Sequence, residues 1–321
     1  MRTFLVTGGA GFIGSHIATA LVERGDQVRV FDNLSTGHHS NLTHLADSLE
    51  FMEGDLLDAD AVSKAVDGVD CVFHQAALAS VPRSVEAPLD TNAACVTGTV
   101  TLLDAARRAG VRRLVYAASS SLYGDKPTSS DSSKKETDLP DPISPYGVAK
   151  LAGEYYCHAF TSTYGFETVA LRYFNVFGPR QDPGSPYSAV IPLFITAILE
   201  NRPPVIFGNG QQSRDFTFVE NVVHGNLLAA DAEGVAGQSF NIAAGRSVTL
   251  LEMLAILNKY LGTEMEPEFV DPRPGDILES LADISAARRL LGYEPQVSFE
   301  EGIAKSINYY RTIYEQQAMD A

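Results

Sequence analysis

The chain has 321 residues, of which 45% are hydrophobic and 20% charged, with a formal net charge of −16. This balance is typical of a globular protein with a large core. Its apolar runs are shorter than the roughly 20 residues that cross a bilayer, and the N-terminus lacks the layout of a signal peptide. The 40 acidic residues outnumber the 24 Lys and Arg, which argues against a nucleic-acid partner. We therefore expect a soluble, cytoplasmic protein.

The first half of the chain alternates short apolar strands with amphipathic helices, the pattern of a parallel sheet covered on both faces. The predicted strands are Thr3 to Thr7, Gln27 to Asp32, Leu49 to Gly54, Asp70 to Gln75, Arg113 to Ser119 and Thr168 to Tyr173. The predicted helices lie near Gly11 to Arg24, Asp60 to Val66, Thr91 to Ala109 and Tyr146 to Tyr164. This pattern predicts an α/β fold built on a doubly wound parallel sheet of the Rossmann type.

The second half is more varied and begins with a cluster of Pro and Gly after Asn175. Its predicted strands are Val205 to Gly208 and Arg214 to Phe218, and its predicted helices are Ile191 to Glu200, Val222 to Ala232, Leu250 to Leu261, Ile284 to Leu291 and Phe299 to Tyr314. We expect residues 1–174 to form a cofactor-binding domain and residues 175–321 a smaller α/β substrate lobe. The boundary is interleaved, with some later segments returning to the first domain.

A glycine-rich loop follows the first strand directly. Glycines at this point allow a tight turn and a close approach of a pyrophosphate to the N-terminus of the next helix. Asp32 ends the second strand, where its carboxylate can accept hydrogen bonds from ribose hydroxyls and would repel a 2′-phosphate, so NAD is favoured over NADP. The candidate cofactor residues of the loop and this strand end are Gly8, Gly11, Phe12, Ile13, Gly14, Asp32 and Asn33.

Asp55, the cysteines and the histidines are further candidate binding groups. Asp55 and Leu56 follow the third strand, where Asp55 can bind an adenine, although a turn-forming aspartate explains it nearly as well. Cys71, Cys95 and Cys157 form no Cys-x-x-Cys pair, and we expect them to be buried and reduced. Histidines and acidic residues lack metal-ligand spacing, so no metal is predicted.

Two motifs supply reactive groups. Tyr146 and Lys150 are four residues apart and so share one helix face, where the lysine charge and the positive nicotinamide ring are expected to lower the phenol pKa from about 10. Alone, such a pair is common by chance, and its plainer interpretation is an exposed pair on a helix surface. Ser119 and Ser120 end a buried strand, and there a hydroxyl can relay a proton or serve only in a turn. Together, and in this order, the motifs predict an active site.

These motifs resemble the extended short-chain dehydrogenases/reductases and, among them, the nucleotide-sugar 4-epimerases. The resemblance spans residues 2–310 and rests on the glycine loop, on Ser-Ser-Ser-Leu-Tyr-Gly from Ser119, on Tyr-Gly-Val-Ala-Lys from Tyr146 and on Leu-Arg-Tyr-Phe-Asn-Val-Phe-Gly-Pro from Leu171. It implies NAD as the cofactor, transient oxidation of the sugar at C4, and a homodimer formed by the helices Thr91 to Ala109 and Tyr146 to Tyr164.

The resemblance also implies residue roles. Ser119 and Tyr146 would be the catalytic pair, and Lys150 would hold the cofactor ribose and tune Tyr146. The implied substrate-binding residues, which would contact a UDP-sugar, are Ser120, Asn175, Val190 in the stretch Ser188 to Pro192, Arg214, Arg273, Asp276 and Ser280.

Relatives of this family differ in chemistry and in substrate. The 4,6-dehydratases carry an Asp-Glu pair where this chain has Ser120 and Ser121, and UDP-glucuronate decarboxylases carry a glutamate that is also absent. Ser280 stands where bulk limits an N-acetyl group, so UDP-N-acetylglucosamine and its galacto epimer are favoured. A plain serine without that role, and Ala79 in place of an expected glycine, leave UDP-glucose open.

Other possibilities also stay open. UDP-glucuronate 4-epimerisation and 4-keto-sugar reduction are less favoured, and tightly retained NAD would distinguish an epimerase from a reductase. A nucleotide-binding regulator is disfavoured, because such a protein typically lacks the tyrosine, the lysine or the serine.

Overall fold

A parallel sheet organises the molecule in the computed structural model, which describes residues 2–125, 133–182, 189–272 and 278–320. Seven strands of the described chain run in the order β11-β6-β5-β4-β1-β2-β3. Their bounds are β1 Thr3–Thr7, β2 Gln27–Asp32, β3 Glu50–Glu53, β4 Cys71–His74, β5 Arg113–Ser119, β6 Glu167–Tyr173 and β11 Gln238–Ile242. The chain reverses its direction of progress across the sheet between β1 and β4, and ligands of open α/β sheets bind at this kind of switch point.

Helices cover both faces of this sheet and also build the remainder of the molecule. Their bounds are α1 Phe12–Glu23, α2 Ala59–Ala65, α3 Val81–Glu86, α4 Pro88–Asn92, α5 Gly98–Arg108, α6 Pro145–Tyr164, α7 Val190–Leu199, α8 Val219–Asp231, α9 Leu250–Leu261, α10 Ser285–Leu291 and α11 Phe299–Asp320. A π-helical turn, Ala93–Thr97, joins α4 to α5. One buried apolar cluster includes residues of α1, α8 and α10, and a second, on the opposite face, includes residues of α2, α5 and α6.

Short strands accompany the helices of the second half. They are β7 Val176–Phe177, β8 Val205–Phe207, β9 Ser213–Asp215, β10 Thr217–Phe218, β12 Ser247–Thr249, β13 Glu268–Val270 and β14 Glu279–Ser280. A third apolar cluster packs α7, α9 and α11 together. The predicted single strand from Arg214 to Phe218 is wrong, because the chain breaks at Phe216: β9 pairs with β12 and β14, whereas β10 pairs with β7.

Local sequence determines where the tyrosine helix begins. Ser144 caps α6 by accepting a hydrogen bond from the Gly147 N–H at 3.1 Å, and Pro145 occupies the first helical position, where its missing N–H has no consequence. Gly165 ends the helix in the left-handed conformation, with φ 68°. Tyr146 therefore lies in the first turn, next to the carboxyl end of β5.

The residues that the structure describes lack two kinds of feature, a membrane-spanning helix and a metal-binding cluster. Within the parts of the chain that the structure describes, no helix is long and apolar enough to cross a membrane. Over the same residues, His, Cys, Asp and Glu side chains form no group of three that could hold a metal ion. Cys71, Cys95 and Cys157 are buried, free thiols, as expected.

Candidate active site

The glycine loop forms an open cradle between β1 and α1. Gly8 has φ +68°, and a Cβ there would stand 2.6 Å from the Ala76 nitrogen, so only glycine fits. The helical ladder of α1 begins with the bond from Ser15 N–H to Gly11 C=O. The N–H groups of Phe12, Ile13 and Gly14 precede that ladder and lie where an anion is stabilised. The side chains of Phe12 and Ile13 are half-buried against apolar clusters.

Asp32 is held rigidly at the end of β2. Its side chain is 7% exposed. One carboxylate oxygen accepts the Ala10 N–H at 2.9 Å and the other accepts the Leu34 N–H at 2.8 Å. A carboxylate has about four lone-pair sites, so acceptor capacity remains for ribose hydroxyls. The cradle and this carboxylate fit a dinucleotide without a 2′-phosphate.

The two other predicted cofactor positions lie beside Asp32. Asn33 is exposed and its Nδ2 donates to Asp55 Oδ2 at 2.7 Å. Asp55 Oδ1 accepts the Leu57 N–H at 2.8 Å, which is the turn-forming role that the sequence left open for it. Leu56 is 7% exposed and its side chain belongs to the core.

His74 is a buried imidazole that links two threonine hydroxyls behind the glycine loop. The Thr99 hydroxyl donates to the Cys95 carbonyl at 2.7 Å and therefore accepts from His74 Nε2–H at 2.9 Å. His74 Nδ1 then accepts from the Thr7 hydroxyl at 2.8 Å. Burial, with the Lys150 charge adding to it, lowers the pKa of His74 to about 3. The imidazole therefore serves to hold the ends of β1 and β4 together.

The predicted catalytic residues meet where β5 ends. Ser119 accepts hydrogen bonds from the N–H and the hydroxyl of Ser121, at 3.2 and 2.9 Å. Ser120 begins the 3-10 turn that follows and is half-buried. Lys150 is 3% exposed, its Nζ donates to the Ala117 carbonyl at 2.8 Å, and this atom lies 5.9 Å from the centre of the Tyr146 ring. The structure thus brings the hydroxyls, the phenol and the ammonium into one cluster.

The predicted lowering of the Tyr146 pKa also relies on the positive nicotinamide ring and stays a prediction, whereas the protein's own groups act mainly in the opposite direction. Burial raises the pKa of the Tyr146 phenol above its usual range, and the hydrogen bond with Ser119 acts against that rise. The ammonium of Lys150 is committed to the Ala117 carbonyl, and burial lowers the pKa of Lys150. Desolvation of the charged form therefore outweighs the stabilisation of a phenolate by its neighbours.

Three of the predicted substrate residues line one cavity of about 680 Å³ in the second half of the chain. They are Asn175, which has φ +30° and donates to the Asp215 carbonyl at 3.3 Å, Val190, which begins α7, and half-buried Arg214 on β9. Ser280 is 8% exposed and pairs with Arg214 across β14 and β9. It lies beside the cavity rather than among the residues that line it.

The other substrate predictions lie outside the described residues. These are Arg273, Asp276 and Ser188, the first residue of the stretch Ser188 to Pro192 that was predicted to contact the UDP-sugar.

Sequence reasoning missed several walls of the cavity. Its apolar sides include Phe177, Phe207 and Phe216, and Gln212, whose Nε2 donates to the Phe207 carbonyl at 2.6 Å, lies between β8 and β9. The signal available was position: Gln212 stands two residues before Arg214. Strand β8 was predicted, but without a role.

The chain is similar to known proteins over most of its length. Residues 4–243 match the NAD dependent epimerase/dehydratase family. A UDP-glucose 4-epimerase from Mycolicibacterium smegmatis is 40% identical over 316 residues, which cover 97% of this chain and 99% of that protein.

Two solved structures are similar over nearly the whole chain. The UDP-N-acetylglucosamine 4-epimerase from Methanobrevibacter ruminantium, in complex with UDP-N-acetylmuramic acid, is 40% identical, with a TM-score of 0.92 and coverage of 97% of this chain and 99% of that one. A variant of the UDP-glucuronic acid 4-epimerase from Bacillus cereus, in complex with a fluorinated UDP-glucuronic acid and NAD, is 33% identical, with a TM-score of 0.90 and coverage of 97% and 100%. The chain belongs to the NAD dependent epimerase/dehydratase family and, within it, to the nucleotide-sugar 4-epimerases, which are isomerases.

Proposed function

We propose that this enzyme interconverts UDP-N-acetylglucosamine and UDP-N-acetylgalactosamine at C4. The observation that carries the proposal is Ser280, a small side chain in register with Arg214 beside the substrate cavity. A residue without bulk at this place leaves room for an acetamido group, whereas a large one would exclude it. The 40% identity to a UDP-N-acetylglucosamine 4-epimerase supports the same substrate.

The cofactor would occupy the cradle between β1 and α1. The N–H groups at the start of α1 would hold the pyrophosphate, and Asp32 would accept hydrogen bonds from the ribose hydroxyls. When bound, NAD⁺ supplies a hydride acceptor and a positively charged ring. Because each epimerisation restores NAD⁺, no net oxidant is consumed.

Proton transfer falls to Tyr146. In this proposal its deprotonated form, the phenolate, takes the proton of the C4 hydroxyl as the sugar is oxidised, and the resulting phenol returns it when the 4-keto sugar is reduced on its other face. Ser119, whose hydroxyl hydrogen-bonds the phenol, would hold the sugar oxygen in line. Burial keeps water away from the keto sugar.

The UDP part of the substrate would be anchored away from the reacting carbon. Arg214 carries the positive charge that a diphosphate needs, Asn175 supplies an amide, and the aromatic walls at Phe207 and Phe216 suit a nucleobase. Anchoring the nucleotide in this way leaves the sugar free to turn over while the nucleotide stays bound.

We also propose the domain division and a homodimer. Residues 1–174 would bind the cofactor and residues 175–321 the substrate, with β11 and α8 returning to the first sheet and its cover. Leu89 is 83% exposed and Val148 is 53% exposed, and both belong to an apolar surface on α4 and α6. A second copy would bury this surface, and light scattering of the wild type and of Val148→Glu tests the assembly.

UDP-glucose is the second candidate substrate. Ala79, rather than glycine, precedes α3, and the UDP-glucose 4-epimerase from Mycolicibacterium smegmatis is as similar as the acetamido-sugar enzyme. Competition between the two UDP-sugars for one enzyme sample tests the choice. A higher kcat/KM for UDP-glucose would reject the acetamido assignment.

A further inference from the structure

A buried ion pair links the tyrosine helix to the sheet. Glu154 on α6 is 0% exposed and Arg172 on β6 is 4% exposed. Arg172 Nη2 lies 2.6 Å from Glu154 Oε1, and Arg172 Nε lies 3.0 Å from Glu154 Oε2. Both oxygens of the carboxylate are thus bound by one planar guanidinium, a geometry that fixes orientation as well as distance.

The same guanidinium continues to the turn that carries the serines. Arg172 Nη1 donates to the Tyr123 hydroxyl at 2.7 Å, and this hydroxyl donates to Asn241 Oδ1 at 2.7 Å. Asn241 Nδ2 in turn donates to the Lys134 and Asp283 carbonyls, at 2.9 and 3.0 Å. The chain of bonds therefore runs from α6 through β6 and the serine turn to β11 and the segment that follows Ser280.

Two members of this chain of bonds, Glu154 and Tyr123, lie on the elements that hold the reactive groups. Glu154 comes eight residues after Tyr146 and four after Lys150, so the three side chains share one face of α6. Tyr123 is the last residue of the 3-10 turn that begins directly after Ser119. Arg172, which is bonded to both residues, therefore couples the position of the serine turn to that of the tyrosine helix.

The helix and the turn also touch directly at Gly147. A Cβ at this glycine would stand 2.7 Å from the Ser121 carbonyl oxygen, closer than nonbonded atoms approach. Helix α6 and the serine turn are thus in direct contact at Gly147. They are also linked through side chains at Glu154, about two helical turns further along α6. Two attachment points fix an angle as well as a distance.

We infer that Arg172, acting through Tyr123 and Glu154, is a positioning residue that sets the placement of Ser119 against Tyr146. The catalytic consequence rests on the proposed 4-epimerase function. A buried ion pair is often no more stabilising than an apolar replacement, so its presence here points to geometry rather than to stability. Neither Arg172 nor Tyr123 is required to touch the sugar or the cofactor.

The mildest test is Tyr123→Phe in the full-length enzyme, because this change keeps the ring and the Arg172–Glu154 pair. We expect kcat to fall roughly ten- to a hundredfold, because a displacement of about 1 Å can cost up to about a hundredfold, with KM for the UDP-sugar changed less than about twofold. The matched control is Tyr293→Phe, which removes a buried hydroxyl that donates to the Ala243 carbonyl and should leave kcat unchanged.

A second variant tests the role of the guanidinium. Arg172→Lys keeps a cation beside Glu154 but cannot bond the carboxylate and Tyr123 in one plane. Because both changes break the same link, the double variant should lose little more activity than either single variant. Additive losses, or a kcat for Tyr123→Phe equal to that of the Tyr293→Phe control, would overturn the inference.

A readout that needs no substrate separates this inference from the proposed function. Hydrogen exchange of peptides covering residues 119–124 and 145–150 should be about tenfold faster in Tyr123→Phe and in Arg172→Lys, and unchanged in Tyr293→Phe. Unchanged exchange in the first two variants would refute the positioning role. A wild-type enzyme without epimerase activity would reject the proposed function alone, and the exchange result would still decide the role of Arg172.

Discussion

The contact between Gly153 and Tyr116 predicts that one added methyl group will displace the tyrosine helix. A Cβ at Gly153 would stand 2.6 Å from Tyr116 Cζ, about 1 Å inside the usual carbon–carbon contact of roughly 3.5–4.0 Å. Tyr116 is 1% exposed, and its ring lies under the Lys150 ammonium, so it has no room to turn away. Helix α6, which carries Tyr146, must therefore move by about 1 Å in Gly153→Ala.

The expected result is a large loss of rate with a small loss of stability. Displacement of a reactive group by about 1 Å can lower kcat about a hundredfold. Overpacking costs about 1–3 kcal/mol, whereas alanine in place of glycine inside a helix recovers about 1 kcal/mol. The free energy of unfolding should therefore fall by only about 0–2 kcal/mol.

The assay pairs steady-state epimerisation with denaturant unfolding. Ala159 is exposed on the same helix, so Ala159→Gly serves as the control, losing about 1 kcal/mol of unfolding free energy while kcat stays unchanged. If Gly153→Ala folds and keeps kcat within about twofold of the wild type, the argument that helix position limits the reaction is refuted.

Four further predictions follow from the site. Asp32→Asn should weaken NAD binding about tenfold and reduce the preference for NAD over NADP, because an amide no longer repels a 2′-phosphate. Titration with both dinucleotides checks this, and an unchanged ratio of the Kd values for NADP and NAD contradicts it. Tyr146→Phe should lower kcat by roughly 10²–10⁴ without loss of UDP-sugar affinity, and turnover near the wild-type rate would exclude the phenol as the proton carrier. Ser280→Tyr should reduce kcat/KM for the acetamido sugar at least tenfold more than for UDP-glucose; equal losses would remove Ser280 as a determinant of specificity. His74 has a folded-state pKa of about 3, below its unfolded value, so its contribution to stability is complete above about pH 6.5 and is lost as pH falls towards 3; His74→Gln should flatten the pH dependence of unfolding in that window, and an identical slope in both proteins would contradict the buried neutral imidazole.

Much of the fold was predictable because apolar patterning and turn chemistry act locally. The first two strands, Thr3 to Thr7 and Gln27 to Asp32, were predicted with the bounds that the structure has. Strand β11 escaped prediction because Gln238–Ile242 has only two fully apolar side chains, and its place beside β6 is set by packing distant in sequence. The break at Phe216 escaped for the same reason, since the two halves of the predicted strand pair with different partners.

The site was predictable in its residues more than in its electrostatics. Motif order places Ser119, Tyr146 and Lys150 together, because strand ends and the first turn of a helix meet at one edge of the sheet. The direction in which the Tyr146 pKa is shifted depends on burial of the phenol, and no local sequence pattern reports that burial. The buried pairing of Arg172 with Glu154 likewise depends on which faces of α6 and β6 pack together.

We expect this chain to epimerise a UDP-sugar at C4 with NAD that it retains. The most direct measurement incubates the purified protein separately with UDP-N-acetylglucosamine and UDP-glucose, without added cofactor, and follows the C4 epimers by NMR. We predict epimer formation from both, faster with the acetamido sugar. Formation of neither epimer, with or without added NAD, would contradict C4 epimerisation of these UDP-sugars by this chain.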